Sequence, residues 1–257
     1  MKLKPQNNLE ASRLPAQMSA IPQWKRLLDI FCITVVAPIW LLLMFVISVS
    51  IRIVSPGPVL FRQERVGHLG RRFTCFKFRT MVVNADTSVH EGHLNHLLES
   101  NVPMRKLDAA GDPRLIFGGR LLRSLGLDEL PQLFNVLRGE MSLVGPRPCL
   151  PYEYESYSTR HRQRFEAVPG LTGLWQVSGK NNTTFEEMID LDVHYARNKS
   201  LLLDLKIMLK TAPALISQTR ELTEESPESP ELFRKPVSVS VSTPPVSPVS
   251  RTTVMQS

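Results

Sequence analysis

Cysteine is scarce in this 257-residue chain: Cys32, Cys75 and Cys149 stand far apart and are odd in number. They build neither a disulfide framework nor a paired-cysteine zinc site, which points to a reducing compartment. No HExxH occurs, and no GxGxxG follows a strand-like run. "GLWQVSGKN" approaches a phosphate loop. Gly173 stands one residue too far before Gly179, however, and Asn181 replaces the hydroxyl residue that would hold magnesium. His90, His93 and His96 recur every three residues, a spacing that decorates one polar helix face more readily than it builds a metal site. Aromatics make up only 7% and no nucleic-acid motif is present, so nucleic acid is excluded as the partner of the +7 net charge. An anionic membrane surface or a phosphorylated substrate fits that charge instead.

Charge is also missing locally. Between Asp29 and Arg52 there is none, over about the length of a bilayer span. A signal peptide is excluded, because the run is too long, starts too late and lacks a small-residue cleavage site. Pro38 inside it removes a helix hydrogen bond and favours a kink. Lys2, Lys4, Arg13, Lys25 and Arg26 precede the run, and Arg52, Arg62, Arg65, Arg71, Arg72, Lys77 and Arg79 follow it. Basic flanks favour the cytoplasmic side, and a true span would export one of them. The spacing therefore predicts a re-entrant helix-break-helix bent at Ala37–Pro38, ahead of a simple span or a buried core helix.

Residues 55–216 read as one globular region. "PGPVLFRQERVG" and "RRFTCFKFRTM" alternate apolar and polar residues and predict a hairpin. Helices are predicted for "TSVHEGHLNHLLES", for "GGRLLRSLG" ending at Gly126, and for "LPQLFNVLRGEM" with Pro131 in its first turn. Further helices are predicted for "FEEMIDLDVHYARN" and "LLLDLKIMLKTAPALI", the latter amphipathic and suited to a membrane surface. Residues 1–21 are polar and flexible in character. Residues 217–257 are rich in proline, serine and charge and predict a disordered tail.

Asp128 and Glu129 are adjacent just before Pro131. Helix capping accounts for them most simply. Their surroundings point further. Arg123 lies shortly upstream, Arg147 sits between Pro146 and Pro148, and Lys77 and Arg79 alternate along a strand. Arginine grips phosphate oxygens with a planar fork. Two acids among several cations suit phosphoryl transfer, with one carboxylate attacking phosphorus and the other holding magnesium. Asp190 and Asp192 form a DxD pair, which supports the alternative of a metal-dependent glycosyltransferase releasing UDP. A non-enzymatic membrane scaffold would explain the charge and the apolar run but not the acid pair.

"KRLLD", "GPVLFRQERVG", "KFRTM", "LDELPQLFNVLRGEMSLVGPRP" and "PGLTGLWQVSG", in that order, resemble the bacterial sugar transferase family over about residues 22–216. These are monotopic polyprenyl-phosphate phosphoglycosyl transferases, and the chain resembles a minimal catalytic form. The resemblance implies transfer of a hexose-1-phosphate from a UDP-sugar to undecaprenyl phosphate, with release of UMP, at the start of exopolysaccharide or O-antigen repeat synthesis. It implies a covalent phosphosugar ester on Asp128, with Glu129 as the Mg2+ ligand. Arg123 and Arg147 match the family's phosphate-gripping arginines, Lys77 its strand lysine, and Lys25 and Arg26 its basic pair at the membrane face. Ala37–Pro38 stands where the family usually has Ser-Pro. The last motifs look closest to galactose- or glucose-1-phosphate transferases. Expected partners are the two substrates, membrane lipid and a second copy in a homodimer. The expected location is the cytoplasmic face of the bacterial inner membrane. The expected fold is α+β and mainly helical: a re-entrant membrane segment at 22–54, then a small cytosolic catalytic domain at 55–216 with amphipathic interfacial helices and a short β-hairpin.

Overall fold

In a computed structural model, residues 21–83, 114–179 and 183–224 are described, with side chains as far as 214. Helix α1 (Gln23–Val54) is followed by strands β1 (Leu60–Val66) and β2 (Arg72–Phe78), then by α2 (Gly119–Ser124) and α3 (Gln132–Arg138). Strand β3 (Ser142–Val144), short helices α4 (Pro151–Ser156) and α5 (Thr159–Arg162), strand β4 (Gly170–Thr172) and helices α6 (Phe185–Asn198) and α7 (Leu201–Glu224) complete the order. The architecture is mostly helical with a small strand content, as expected. The predicted helix at 87–100, its three histidines and the tail at 225–257 lie outside the described residues.

The hairpin forms as its alternation predicts. Strands β1 and β2 pair antiparallel, with Phe61 opposite Lys77 and Gln63 opposite Cys75. Helix α2 stops before Gly126, whose φ of 67° suits glycine far better than a residue with a Cβ. Pro131 precedes the first residue of α3, and Gly139 at φ 79° ends that helix. Helix α6 has the predicted limits and opens on a capping box, with Thr184 and Glu187 exchanging side-chain to backbone bonds. Helix α7 runs on to Glu224, beyond the boundary expected at 217, because its helical pattern continues past Pro213.

The apolar run differs from expectation. It is one assigned helix from Gln23 to Val54, with Pro38 inside it rather than between two helices. A single proline removes one internal hydrogen bond, and a long helix tolerates that loss with a local distortion. One face of α1 is buried along its whole length, at Lys25, Asp29, Ile33, Trp40, Ile47 and Ile51. Ile33 and Trp40 pack with Cys75, Leu133, Val136 and Met141. Ile47 and Ile51 pack with Phe78 and Ile116. The other face leaves Phe31, Ile39, Phe45 and Ile53 between 67% and 79% exposed, far more apolar surface than a soluble helix presents to water.

The polar start of α1 turns inward. Lys25 is 1% exposed, pairs with Asp204 of α7 at 2.5 Å and donates to the Tyr195 hydroxyl at 2.9 Å. Asp29 accepts from Ser142 Oγ and from the Leu143 amide, both at 3.0 Å. Arg26 donates to the carbonyls of Val136 and Leu137 at the end of α3. Lys25 and Arg26, the basic pair expected at the membrane face, satisfy a buried carboxylate and the open carbonyls of a helix terminus.

Lys25→Met removes one partner of a buried ion pair and leaves Asp204 uncompensated. The expected cost is about 3–5 kcal/mol, read from denaturant unfolding in detergent. An unchanged midpoint would show that the pair does not anchor α1.

Candidate active site

Asp128 and Glu129 sit in a 3-10 turn at Leu127–Glu129, set up by the left-handed Gly126 and closed by Pro131. The N-cap position of α3 is Pro131, whose side chain takes no bond from the amides of the first turn. The Glu129 carboxylate instead lies 2.6 Å from Lys77 Nζ, with the two side chains 34% and 20% exposed. The turn and the strand come from distant stretches, and Asn135 holds them together. This residue is fully buried on α3. Its amide nitrogen donates to the Thr74 carbonyl at 2.7 Å, and its oxygen accepts from the Phe76 amide at 3.1 Å. A side chain thus pairs with the free edge of β2, and the helix that follows Glu129 is locked to the strand that carries Lys77.

Arg147 is exposed within a loop that has almost no freedom. Strands β3 and β4 pair in parallel, bringing "VGPRP" against "PGLTG". The Gly145 amide donates to Thr172 O at 2.8 Å, and the Gly170 amide donates to Pro146 O at 2.9 Å. A Cβ on Gly170 would lie 2.1 Å from the Gly145 nitrogen, and one on Gly145 would lie 2.1 Å from the Val168 carbonyl oxygen. Only glycine permits this approach of two backbones. Arg65 donates to the Pro148 carbonyl at 3.2 Å and to Gln63. Burial, then repulsion from Arg147, lowers its hold on its proton.

A cavity opens between these parts, lined by Arg65, Lys77, Glu129, Gln132, Arg147 and Gln176 among others. Three cations and one half-exposed carboxylate converge there. Asp128 adjoins Glu129 in the same turn, is only 8% exposed, and is not among the lining residues. Cys75 in the cavity wall is a buried thiol, and burial raises its pKa.

Of the expected site residues, the structure brings Lys77, Glu129 and Arg147 together, with Asp128 beside them. Arg123, in the last turn of α2, lies outside the lining. Arg79 is also outside it and is 6% exposed, its guanidinium donating to Ser55 Oγ, Ser55 O and Pro56 O just after α1. It follows the last residue of β2, and the unpaired carbonyls after α1 draw it away from Lys77. Sequence reasoning counted Arg65 only as flanking charge and passed over Gln132 and Gln176. The "RQERVG" motif signalled Arg65, whereas isolated glutamines give no local signal. Asp190 and Asp192 do not converge. Asp190 is exposed and engaged by Arg160, while Asp192 is 1% exposed and pairs with Arg164. Among the described residues, no group of three or more His, Cys, Asp or Glu is placed to hold a metal ion by itself.

A carboxylate turn facing cations from a hairpin and a doubly proline-bounded loop, beside an exposed apolar helix, marks a membrane-associated enzyme for anionic substrates. The chain belongs to the bacterial sugar transferase family, whose model matches residues 20–218. The exopolysaccharide production protein ExoY of Sinorhizobium fredii is 41% identical over 191 residues, 74% of this chain and 82% of that protein. The UDP-glucose:undecaprenyl-phosphate glucose-1-phosphate transferase of Caulobacter vibrioides is 38% identical, over 79% of this chain and 73% of its own length. The undecaprenyl-phosphate galactose phosphotransferase of Salmonella typhimurium is 37% identical over 75% of this chain, which spans only 40% of that relative. The chain is a transferase of the type that initiates exopolysaccharide synthesis.

Gly170→Ala forces the two backbones apart and moves Arg147. A displacement near 1 Å lowers kcat/KM about 100-fold in a steady-state sugar transferase assay. Full activity in that variant would show that the loop's exact seat does not matter.

Proposed function

We propose that the chain transfers a hexose-1-phosphate from a UDP-sugar to undecaprenyl phosphate, releases UMP, and so begins an exopolysaccharide or O-antigen repeat unit. The observation that carries this reading is the Glu129–Lys77 pair on a cavity that also presents Arg65 and Arg147. The names of the relatives supply the substrate classes.

In the first half-reaction an Asp128 carboxylate oxygen attacks the phosphorus bearing the sugar. The bond from that phosphorus to the UMP oxygen breaks, and UMP leaves with the electron pair. In the second half-reaction a phosphate oxygen of undecaprenyl phosphate attacks the same phosphorus. The Asp128 carboxylate departs, and a lipid-linked diphosphate sugar remains. Arg147 and Lys77 offset the charge that gathers on the transferring group, as arginine and lysine do in phosphoryl transfer generally. Both halves use one cation bed.

The donor set fits Mg2+. This ion takes one or two carboxylates and completes its shell with substrate phosphates and water. Glu129 is a half-exposed carboxylate on the cavity and would hold it. Bound there, the ion would offset diphosphate charge as a Lewis acid. The DxD reading with UDP as product is less well supported, since Arg160 and Arg164 engage its two carboxylates.

The apolar face of α1 supports attachment to the inner membrane. One catalytic domain meets α1 at Lys25 near its start and at Ile51 near its end. Both ends therefore belong on one side of the bilayer, here the cytoplasmic side, and a re-entrant course requires α1 to bend at Pro38 when it sits in the membrane.

Asp128→Asn is expected to abolish UMP release and the covalent phosphosugar adduct seen by mass spectrometry; normal turnover would remove Asp128 as nucleophile. Chelation with EDTA is expected to stop UMP release and added Mg2+ to restore it, whereas EDTA-resistant activity would argue against the ion. Cysteines introduced as Gln23→Cys and Pro58→Cys should both react with an impermeant maleimide from the same side of sealed vesicles. Labelling from opposite sides would establish a span.

A further inference from the structure

The loop that presents Arg147 is held from behind by a residue outside the cavity. Arg164 lies in the 3-10 turn at Gln163–Glu166, is 2% exposed, and is the largest fully buried side chain among the described residues. One terminal nitrogen, NH2, makes two contacts at once. It lies 2.5 Å from Asp192 Oδ2 on α6 and donates to the main-chain carbonyl of Arg147 at 3.0 Å. The other terminal nitrogen donates to the Tyr157 hydroxyl at 3.2 Å. Burial works most strongly against the charge on Arg164, but Asp192, with smaller help from Tyr157, Cys149 and Glu153, more than offsets it and keeps the guanidinium protonated.

A buried ion pair is a poor source of stability, because desolvation offsets much of the attraction. Placing one here makes sense if it fixes a geometry. The carbonyl it grips belongs to the residue whose own side chain faces the cavity. Pro146 and Pro148 restrict the loop on either side. Arg65 takes the next carbonyl, that of Pro148, at 3.2 Å. Two buried arginines thus hold two consecutive carbonyls, and the exposed guanidinium between the prolines has one direction to point.

We infer that Arg164, oriented by Asp192, is the positioning residue for Arg147, acting through its main-chain carbonyl to aim the guanidinium at substrate phosphate. Arg164 is not itself a catalytic residue. The inference rests on the phosphosugar-transfer reading for its substrate but not for its test, because any diphosphate probes the aim of Arg147. A lysine in its place keeps the buried charge but not the planar fork that reaches carboxylate, hydroxyl and carbonyl together.

The test is a double-mutant cycle on the full chain in detergent, read as binding of inorganic pyrophosphate by calorimetry. Arg164→Lys is expected to weaken binding roughly 10–100-fold in the native background and hardly at all in an Arg147→Ala background, since residues acting through one another are not additive. Asp192→Glu, which keeps the charge and shifts the guanidinium, is expected to give the same pattern with a smaller loss. Equal weakening in both backgrounds would make Arg164 a general structural support and overturn the inference, as would no weakening at all. Failure of the native chain to bind pyrophosphate would overturn it too. The transfer reading stands or falls separately, on UMP release.

Discussion

The polar first turns of α1 are the contact on which the remaining structure depends. Two charges that would normally face water, Lys25 and Asp29, are spent inside the protein, and a third, on the half-buried Arg26, is spent at its edge. Lys25 reaches α7, Arg26 reaches the end of α3, and Asp29 reaches β3. Those elements are the ones that carry the site. Helix α3 follows the acid pair, β3 leads into the Arg147 loop, and α7 closes the far side. Buried ionic groups of this kind cost desolvation and lose heavily if one partner is missing, so they specify one docking of α1 rather than many.

From that docking the division of labour on α1 follows. Its buried face is continuous with the catalytic core, and Trp40 donates from mid-helix to the Leu130 carbonyl, one residue beyond Glu129. Its other face is apolar and open. A helix with one face in the core and the other face apolar and exposed fixes the distance between the cation-lined cavity and that apolar surface directly. The cavity is built in the same economical way. Asn135 joins the acid turn to the hairpin, while the glycine contacts and the two carbonyl-holding arginines seat the Arg147 loop.

Much was legible locally. The hairpin, the stop of α2 before Gly126, the limits of α6, the uncharged run and the acid pair all rest on alternation, helical period, proline and glycine, whereas α3 was expected to reach Met141 and stops at Arg138, before the left-handed Gly139. These signals act over a few residues. The site was half legible: Lys77, Glu129 and Arg147 stood out by residue type and motif, and they do converge. The contacts that Arg79 and the Lys25–Arg26 pair make within the protein were hidden for one reason. A basic residue beside an apolar run looks like a surface charge until a buried carboxylate or a free helix-end carbonyl is found to claim it. The holds that Arg65 and Arg164 take on the Pro148 and Arg147 carbonyls were not legible, because a main-chain carbonyl leaves no mark in a sequence.

The sequence by itself determined the element types, the apolar anchor, the chemistry of the acid–cation motifs and the family, since each is written in neighbouring residues or ordered motifs. Only the tertiary structure decided which cations meet the carboxylates and which are spent on architecture. Lys25 and Asp204 are separated by 179 positions, and Lys77 and Glu129 by 52. A charged side chain takes the partner that packing brings within about 3 Å, and no local pattern records which partner that will be.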